Sequence, residues 1–154
     1  MKLAEALNER KALKDTLARL MERLEANARV QEGDQPAEAP ADLLAAVTEV
    51  LAALEILVVR VNRTNLVATL ADGRSLMESI ARRDMLHLRR AALDRLVKAA
   101  GTPRDRWALT RDEIRRVVTV DVAALQREID TVSAELRRLD TALQQANWSV
   151  DLAD

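Results

Sequence analysis

Cysteine is absent from this 154-residue chain, and its only aromatic residues are two tryptophans. The absence of cysteine excludes a disulfide scaffold, a thiolate zinc site, an iron–sulfur cluster and a cysteine nucleophile. Because aromatic residues are so scarce, the core must be built from Leu, Val, Ile and Ala. Glycine and proline number three each, so regular structure is interrupted at few places.

Long apolar runs and an excess of one charge are also lacking. No run approaches the roughly 20 apolar residues of a membrane span, and the opening segment MKLAEALNER has no continuous apolar core typical of a signal peptide. The net charge of −1 gives no general reason to expect binding to nucleic acid or to an anionic membrane. We therefore expect a cytoplasmic protein that does not associate with membranes.

The residues that are present favour long helices. Hydrophobic residues make up 49% of the chain and charged residues 32%, a profile typical of helical bundles and coiled coils. Apolar periodicity predicts helices over about 3–28, 41–65, 75–100 and 121–147, joined by loops over 29–40 and 101–120. We expect a single all-α domain of four long, mostly antiparallel helices, with at most a two-stranded β-ribbon pairing 66–70 with 115–120.

The second helix has the widest apolar face, with three series that each repeat every seven residues. Leu44, Leu51 and Val58 form one of them, and the next position in that series is Asn65. A single Asn on an apolar seam can fix helix register and oligomeric state at some cost in stability. The sequence thus predicts that Asn65 faces a packed interface.

The polar segment 62–84 is the candidate ligand site. Arginine side chains suit a carboxylate or phosphate, and asparagine can orient a small ligand. The alternative is a buried polar network that sets helix register, with Arg83 or Asp84 facing inward. No catalytic residues or cofactor can be assigned, and one histidine without cysteine argues against a metal site. The candidate residues are Asn62, Arg63, Asn65, Arg74, Arg83, Asp84 and His87.

Several residues predict where helices begin. Asp72 and Gly73 form a turn signal, and Ser75 with Glu78 forms a capping box at the start of the third helix. Asp121 is a suitable N-cap for the fourth helix.

The fourth helix has the most regular heptad of the chain. Such a seam is typical of association between helices, so we expect a homo-oligomer, a dimer or larger. The interface candidates are Val122, Leu125, Ile129, Val132, Leu136, Leu139, Leu143 and Trp148.

Basic residues cluster on the third helix and could follow a phosphate backbone. No aromatic residues lie between them, so base stacking is unsupported, and the nearly neutral net charge argues against nucleic-acid binding.

The segments ANARVQEG at 26–33, VNRTNL at 61–66, DGRSL at 72–76, ARRD at 81–84 and QQANW at 144–148 resemble a bacterial family labelled septicolysin-like. The resemblance covers nearly the whole chain. It implies a helical fold and no assigned activity or site.

The leading functional hypothesis is a non-enzymatic interaction or scaffold protein that works as a homo-oligomer. The first alternative is a protein that binds a small ligand or anion, or hydrolyses a substrate, through the 62–84 cluster. The second is nucleic-acid binding through helix 75–100.

Overall fold

Four long helices account for most of the residues that the computed structural model describes, which are 1–101 and 117–154. Their bounds differ from the predicted ones by at most two residues, and the all-α prediction is confirmed. The helices are α1 (Leu3–Ala26), α2 (Pro40–Val67), α3 (Leu76–Gly101) and α4 (Val122–Ser149).

The β-ribbon that the sequence allowed at most is not formed in the described residues. Helix α2 continues through Val67, which is within the segment expected to be its first strand. Of the second predicted strand, residues 115 and 116 lie outside the described residues, and 117–120 contain no strand. In the described part of the chain, β pairing is limited to two isolated bridges, Lys2 with Asp151 and Thr69 with Ser75.

Two helix starts follow from local chemistry. Pro40 occupies the first turn of α2, where its missing N–H leaves no hydrogen bond unmade. Asp121 caps α4 as predicted, because its Oδ1 accepts a 2.9 Å hydrogen bond from the Ala124 backbone N–H.

The described chain divides into two compact units, which we treat separately: residues 1–77 with 144–154, and residues 78–143. In the first unit α1 and α2 form a helical hairpin. Leu20, near the end of α1, packs with Leu43 and Val47, near the start of α2, so the two helices run antiparallel.

The buried seam of α2 alternates steps of four and three residues. This spacing keeps the seam on one side of the helix over its whole length. Its buried or half-buried members are Leu43, Val47, Val50, Leu54, Leu57, Val61 and Thr64.

In the second unit two ion pairs join α3 to α4. Arg82 contacts Glu135 at 2.8 Å, and Arg89 contacts Glu128 at 2.6 Å. Seven residues forward on α3 correspond to seven residues backward on α4, so this helix pair is antiparallel. Ser79 is fully buried in this unit, and its Oγ has no hydrogen-bond partner among the described residues.

Candidate functional site

The turn between α2 and α3 forms the middle of the 62–84 segment. The Leu70 N–H bonds to the Arg74 carbonyl at 2.8 Å, and the Gly73 N–H bonds to the Leu70 carbonyl at 3.0 Å. Gly73 has a φ of 84°, a conformation that favours glycine. The predicted Asp72-Gly73 turn is therefore confirmed, and α3 begins at Leu76, directly after Ser75.

Arg74 is bound within this turn. Its Nη2 lies 2.5 Å from Oδ2 of Asp72, and its backbone N–H donates to Oδ1 of the same carboxylate at 3.1 Å. These hydrogen bonds lower the pKa of Asp72. Asp72 and Arg74 thus form an ion pair within the turn, and their charges cancel locally.

Arg83 and Asp84 form a second local ion pair, with 2.9 Å between Nη2 and Oδ1. Of the two residues of which one was expected to face inward, Asp84 is exposed and Arg83 is half-buried. Exposed pairs of this kind stabilise a fold by about 1 kcal/mol or less. His87, one turn further along α3, is also exposed.

Asn65 does not lie on the buried seam of α2. The seam passes through its neighbour Thr64, which is 1% exposed, whereas Asn65 is only half-buried. The heptad series that leads to Asn65 begins with Leu44 and Leu51, and both are exposed. Val58, one heptad before Asn65, is half-buried like Asn65, so a packed interface at Asn65 stays a prediction. Asn62 is exposed.

Residues 150–154 form a clasp between the start of α1 and the end of α2. The Leu3 N–H donates to the Val150 carbonyl at 3.0 Å, and the Leu152 N–H donates to the Met1 carbonyl at 2.9 Å. Leu152 is buried. The Lys2 ammonium lies 2.8 Å from Oδ1 of Asp151 and lowers the pKa of that carboxyl by hydrogen bonding.

The α2 side of the clasp uses Arg60, Arg63 and Thr64. The Ala153 N–H donates to Thr64 Oγ1 at 2.9 Å, and Arg60 Nε donates to the Ala153 carbonyl at 2.9 Å. Arg63 Nη1 donates to a main-chain oxygen of Asp154 at 3.0 Å. Arg63 is thus a clasp residue, whereas Arg60 and Thr64 were missed. The place of Thr64 on the buried seam could have been predicted, because Thr64 continues the spacing of Leu57 and Val61.

Outside the seam, α2 carries a large apolar surface. We define the α2 outer face as six hydrophobic residues that are each 43% to 70% exposed: Leu44, Leu51, Ile56, Val59, Leu66 and Val67. Helix α2 is the most apolar of the four helices. Clusters of exposed hydrophobic residues are typical of sites of association.

Most of the interface candidates on α4 are buried within the single chain. Ile129, Val132, Leu136, Leu139 and Leu143 are at most 6% exposed. Their burial accounts for the α4 heptad without a second copy of the chain. Leu125 is half-buried, and the candidates that remain exposed are Val122 and Trp148.

The basic residues of α3 are largely paired with acids. Arg82 and Arg89 contact acids of α4, and Arg90 lies 3.7 Å from Asp94 on its own helix. Paired arginines are less available to phosphate, so this arrangement gives no support to the nucleic-acid hypothesis.

Metal-binding clusters and membrane-spanning helices are both absent from the described residues. The described ranges contain no group of three or more His, Asp or Glu side chains arranged to hold a metal ion. No helix in the described residues combines the length and the apolar character needed to cross a membrane.

Comparison with known proteins gives a family but no activity. The sequence pattern of a family of unknown function, DUF6847, matches residues 10–152. The chain is also similar to a functionally unknown conserved protein from Corynebacterium diphtheriae of known crystal structure, at 36% identity and a TM-score of 0.88. That match covers 99% of this chain and 98% of the other. No curated protein sequence matches.

The septicolysin-like resemblance is therefore wrong. The family that matches most of the chain is DUF6847, and neither it nor the structural neighbour is described as septicolysin-like. The quoted segments lie within the range matched by this family.

Proposed function

The chain belongs to the DUF6847 family of unknown function, and we propose that it is a non-enzymatic interaction protein that works as a homo-oligomer. The observation that carries this proposal is the α2 outer face. Six large hydrophobic side chains are exposed on one helix, while the other side of the same helix forms a continuous buried seam. Hydrophobic surface of this kind is stabilised when a partner removes it from water.

The charges on this side of α2 also favour a protein partner. Between Leu44 and Val67 the exposed charged residues are Glu49, Glu55 and Arg63, and Arg60 is half-buried. A nearly neutral apolar surface suits another apolar helix better than it suits a polyanion or a charged small molecule.

The hypothesis of an anion site is less well supported by the geometry. Arg74 and Arg83 each contact a neighbouring carboxylate, and Arg63 contacts the main chain of the clasp. An incoming anion would have to compete with these contacts, two of which are ion pairs.

Light scattering tests the proposal directly. The double variant Ile56→Asp/Val59→Asp places two carboxylates on the α2 outer face, and we expect its mass to fall to that of a 17.1 kDa monomer with helical circular dichroism retained. The control is Ala12→Asp/Ala18→Asp, which adds the same charge to exposed positions of α1 and should keep the wild-type mass. A wild-type protein that is monomeric over the whole concentration range would overturn the proposal.

A further inference from the structure

We propose that the 51–67 part of the α2 outer face pairs with the same residues of a second copy, antiparallel about a two-fold axis near Val59. This inference rests on the proposed function and adds the identity, direction and register of the contact. It follows from where charged and apolar residues lie along one exposed helix.

The charge pattern selects the direction of pairing. Glu55 lies four residues before Val59 and Arg63 four residues after it, and both are exposed. Antiparallel pairing about Val59 brings Glu55 of one copy level with Arg63 of the other, twice in each dimer. Parallel pairing in register would instead bring Glu55 level with Glu55 and Arg63 level with Arg63, which is unfavourable near an apolar contact.

Both charged groups are available for this contact. None of the ion pairs within the described residues includes Glu55. Arg63 uses Nη1 for its bond to the clasp, and a guanidinium group has five N–H donors in all. Arg63 can therefore keep its clasp contact while it meets a carboxylate of a second copy.

The apolar residues agree with the same register. Residues at equal distances from Val59 that lie on the same side of α2 as Val59 become neighbours across the two-fold axis, so Ala52 meets Leu66 and Val59 meets Val59 of the second copy. The large Leu66 side chain of one copy thus opposes the small Ala52 side chain of the other. An interface in which one patch contacts itself closes after two copies and does not propagate into a filament.

Charge reversal tests the pairing. Glu55→Arg and Arg63→Glu should each raise the dimer dissociation constant at least about tenfold, because each places like charges level across the axis. An equal mixture of the two variants should restore a dimer of wild-type affinity, since one copy then supplies only Arg and the other only Glu at these positions. Rescue by mixing requires contact between copies, so a structural effect of Arg63→Glu on the clasp cannot produce it.

Distances between spin labels test the direction independently. The chain has no cysteine, so Ala52→Cys and Ala45→Cys each give one label on an exposed position of α2. Antiparallel pairing about Val59 separates equivalent residues along the axis by about 21 Å at position 52 and about 42 Å at position 45, at 1.5 Å per residue. Parallel pairing in register gives nearly equal distances at the two positions.

The outcomes distinguish this inference from the proposed function. If Ile56→Asp/Val59→Asp dissociates the oligomer but the charge variants do not rescue each other, or if the two label distances are equal, the antiparallel pairing is overturned while the proposed function stands. If the wild-type protein is monomeric at all concentrations, both are overturned. Rescue together with unequal distances supports both.

Discussion

Helices α4 and α2 both carry apolar heptads, but the structure uses them differently. The α4 heptad is a single narrow series, and its residues from Ile129 to Leu143 are buried within the chain. Helix α2 has three adjacent series, of which the chain buries one continuous seam and leaves Leu44 and Leu51 exposed. The more regular heptad thus belongs to the core, and the wider apolar surface belongs to the helix with an exposed face.

The difference shows what periodicity can and cannot indicate. A regular heptad indicates that one side of a helix is buried, but it does not distinguish burial in the same chain from burial against another copy. The more informative feature is apolar surface beyond what the seam requires. In α2 this excess lies outside the seam, which is why we propose an association surface there.

The largest expected effect is a difference in stability between truncating a buried leucine of α4 and truncating an exposed leucine of α2. Leu136→Ala, in the α4 seam, should lower the free energy of unfolding by about 2–5 kcal/mol because it leaves a cavity. Leu44→Ala, on the α2 outer face, should change it by less than about 0.5 kcal/mol. Urea unfolding of both variants at a protein concentration that keeps the chain monomeric measures the difference. Equal losses would show that Leu44 is also part of the core.

A smaller difference in stability is expected between substituting a buried threonine and substituting an exposed threonine of α2. Thr64→Val keeps the shape of the side chain but removes the acceptor of the Ala153 N–H, and should cost about 1 kcal/mol. Thr48→Val is the matched control, because Thr48 bonds its own helix through the Leu44 carbonyl at 2.9 Å and is exposed. Thermal melts should show a loss for Thr64→Val alone. A similar loss for both would assign the effect to the loss of the hydroxyl within the helix and not to the contact with Ala153.

The smallest effect concerns charge rather than packing. The pKa of Asp151 is lowered by its hydrogen bond with Lys2, so the folded chain favours the ionised carboxylate. This contribution to stability is present above the pKa of the unfolded chain, about 3.9, and is lost as the pH falls through the lower folded-state pKa.

Thermal melts of wild type and Asp151→Asn should therefore differ at pH 7 and converge at strongly acidic pH. The control is Asp130→Asn, since Asp130 is exposed and takes part in no ion pair within the described ranges. A difference for Asp151→Asn that persists at acidic pH would show that the carboxylate charge is not its source.

The helices were predictable because their signals are local. The apolar spacing, the Asp72-Gly73 turn and the Asp121 cap each depend on residues within one or two turns of the chain. The candidate site was predicted less well, because burial on α2 depends on which of three series the rest of the chain contacts. Asn65 and Thr64 are adjacent in sequence, and only Thr64 is fully buried.

The clasp could not be predicted by local reasoning. Its contacts join residues that are far apart in sequence, and segment 150–154 carries no periodic pattern that would place it against α1 or α2. Arg63 was singled out as a possible ligand contact, yet it binds the main chain of Asp154. A sequence alone does not distinguish an arginine that binds a distant main-chain oxygen from one that is free to bind an anion.

The clasp also has a consequence for the order of folding. Lys2 and Ser149 are joined by a 3.0 Å hydrogen bond although 147 positions separate them, so this contact has nearly the highest sequence separation that the chain allows. Contacts of this kind cost the most loop-closure entropy and tend to form late. During synthesis, α1 and α2 can pair as a hairpin long before residues 150–154 exist. The newly made hairpin therefore lacks the clasp until translation has passed the end of α4.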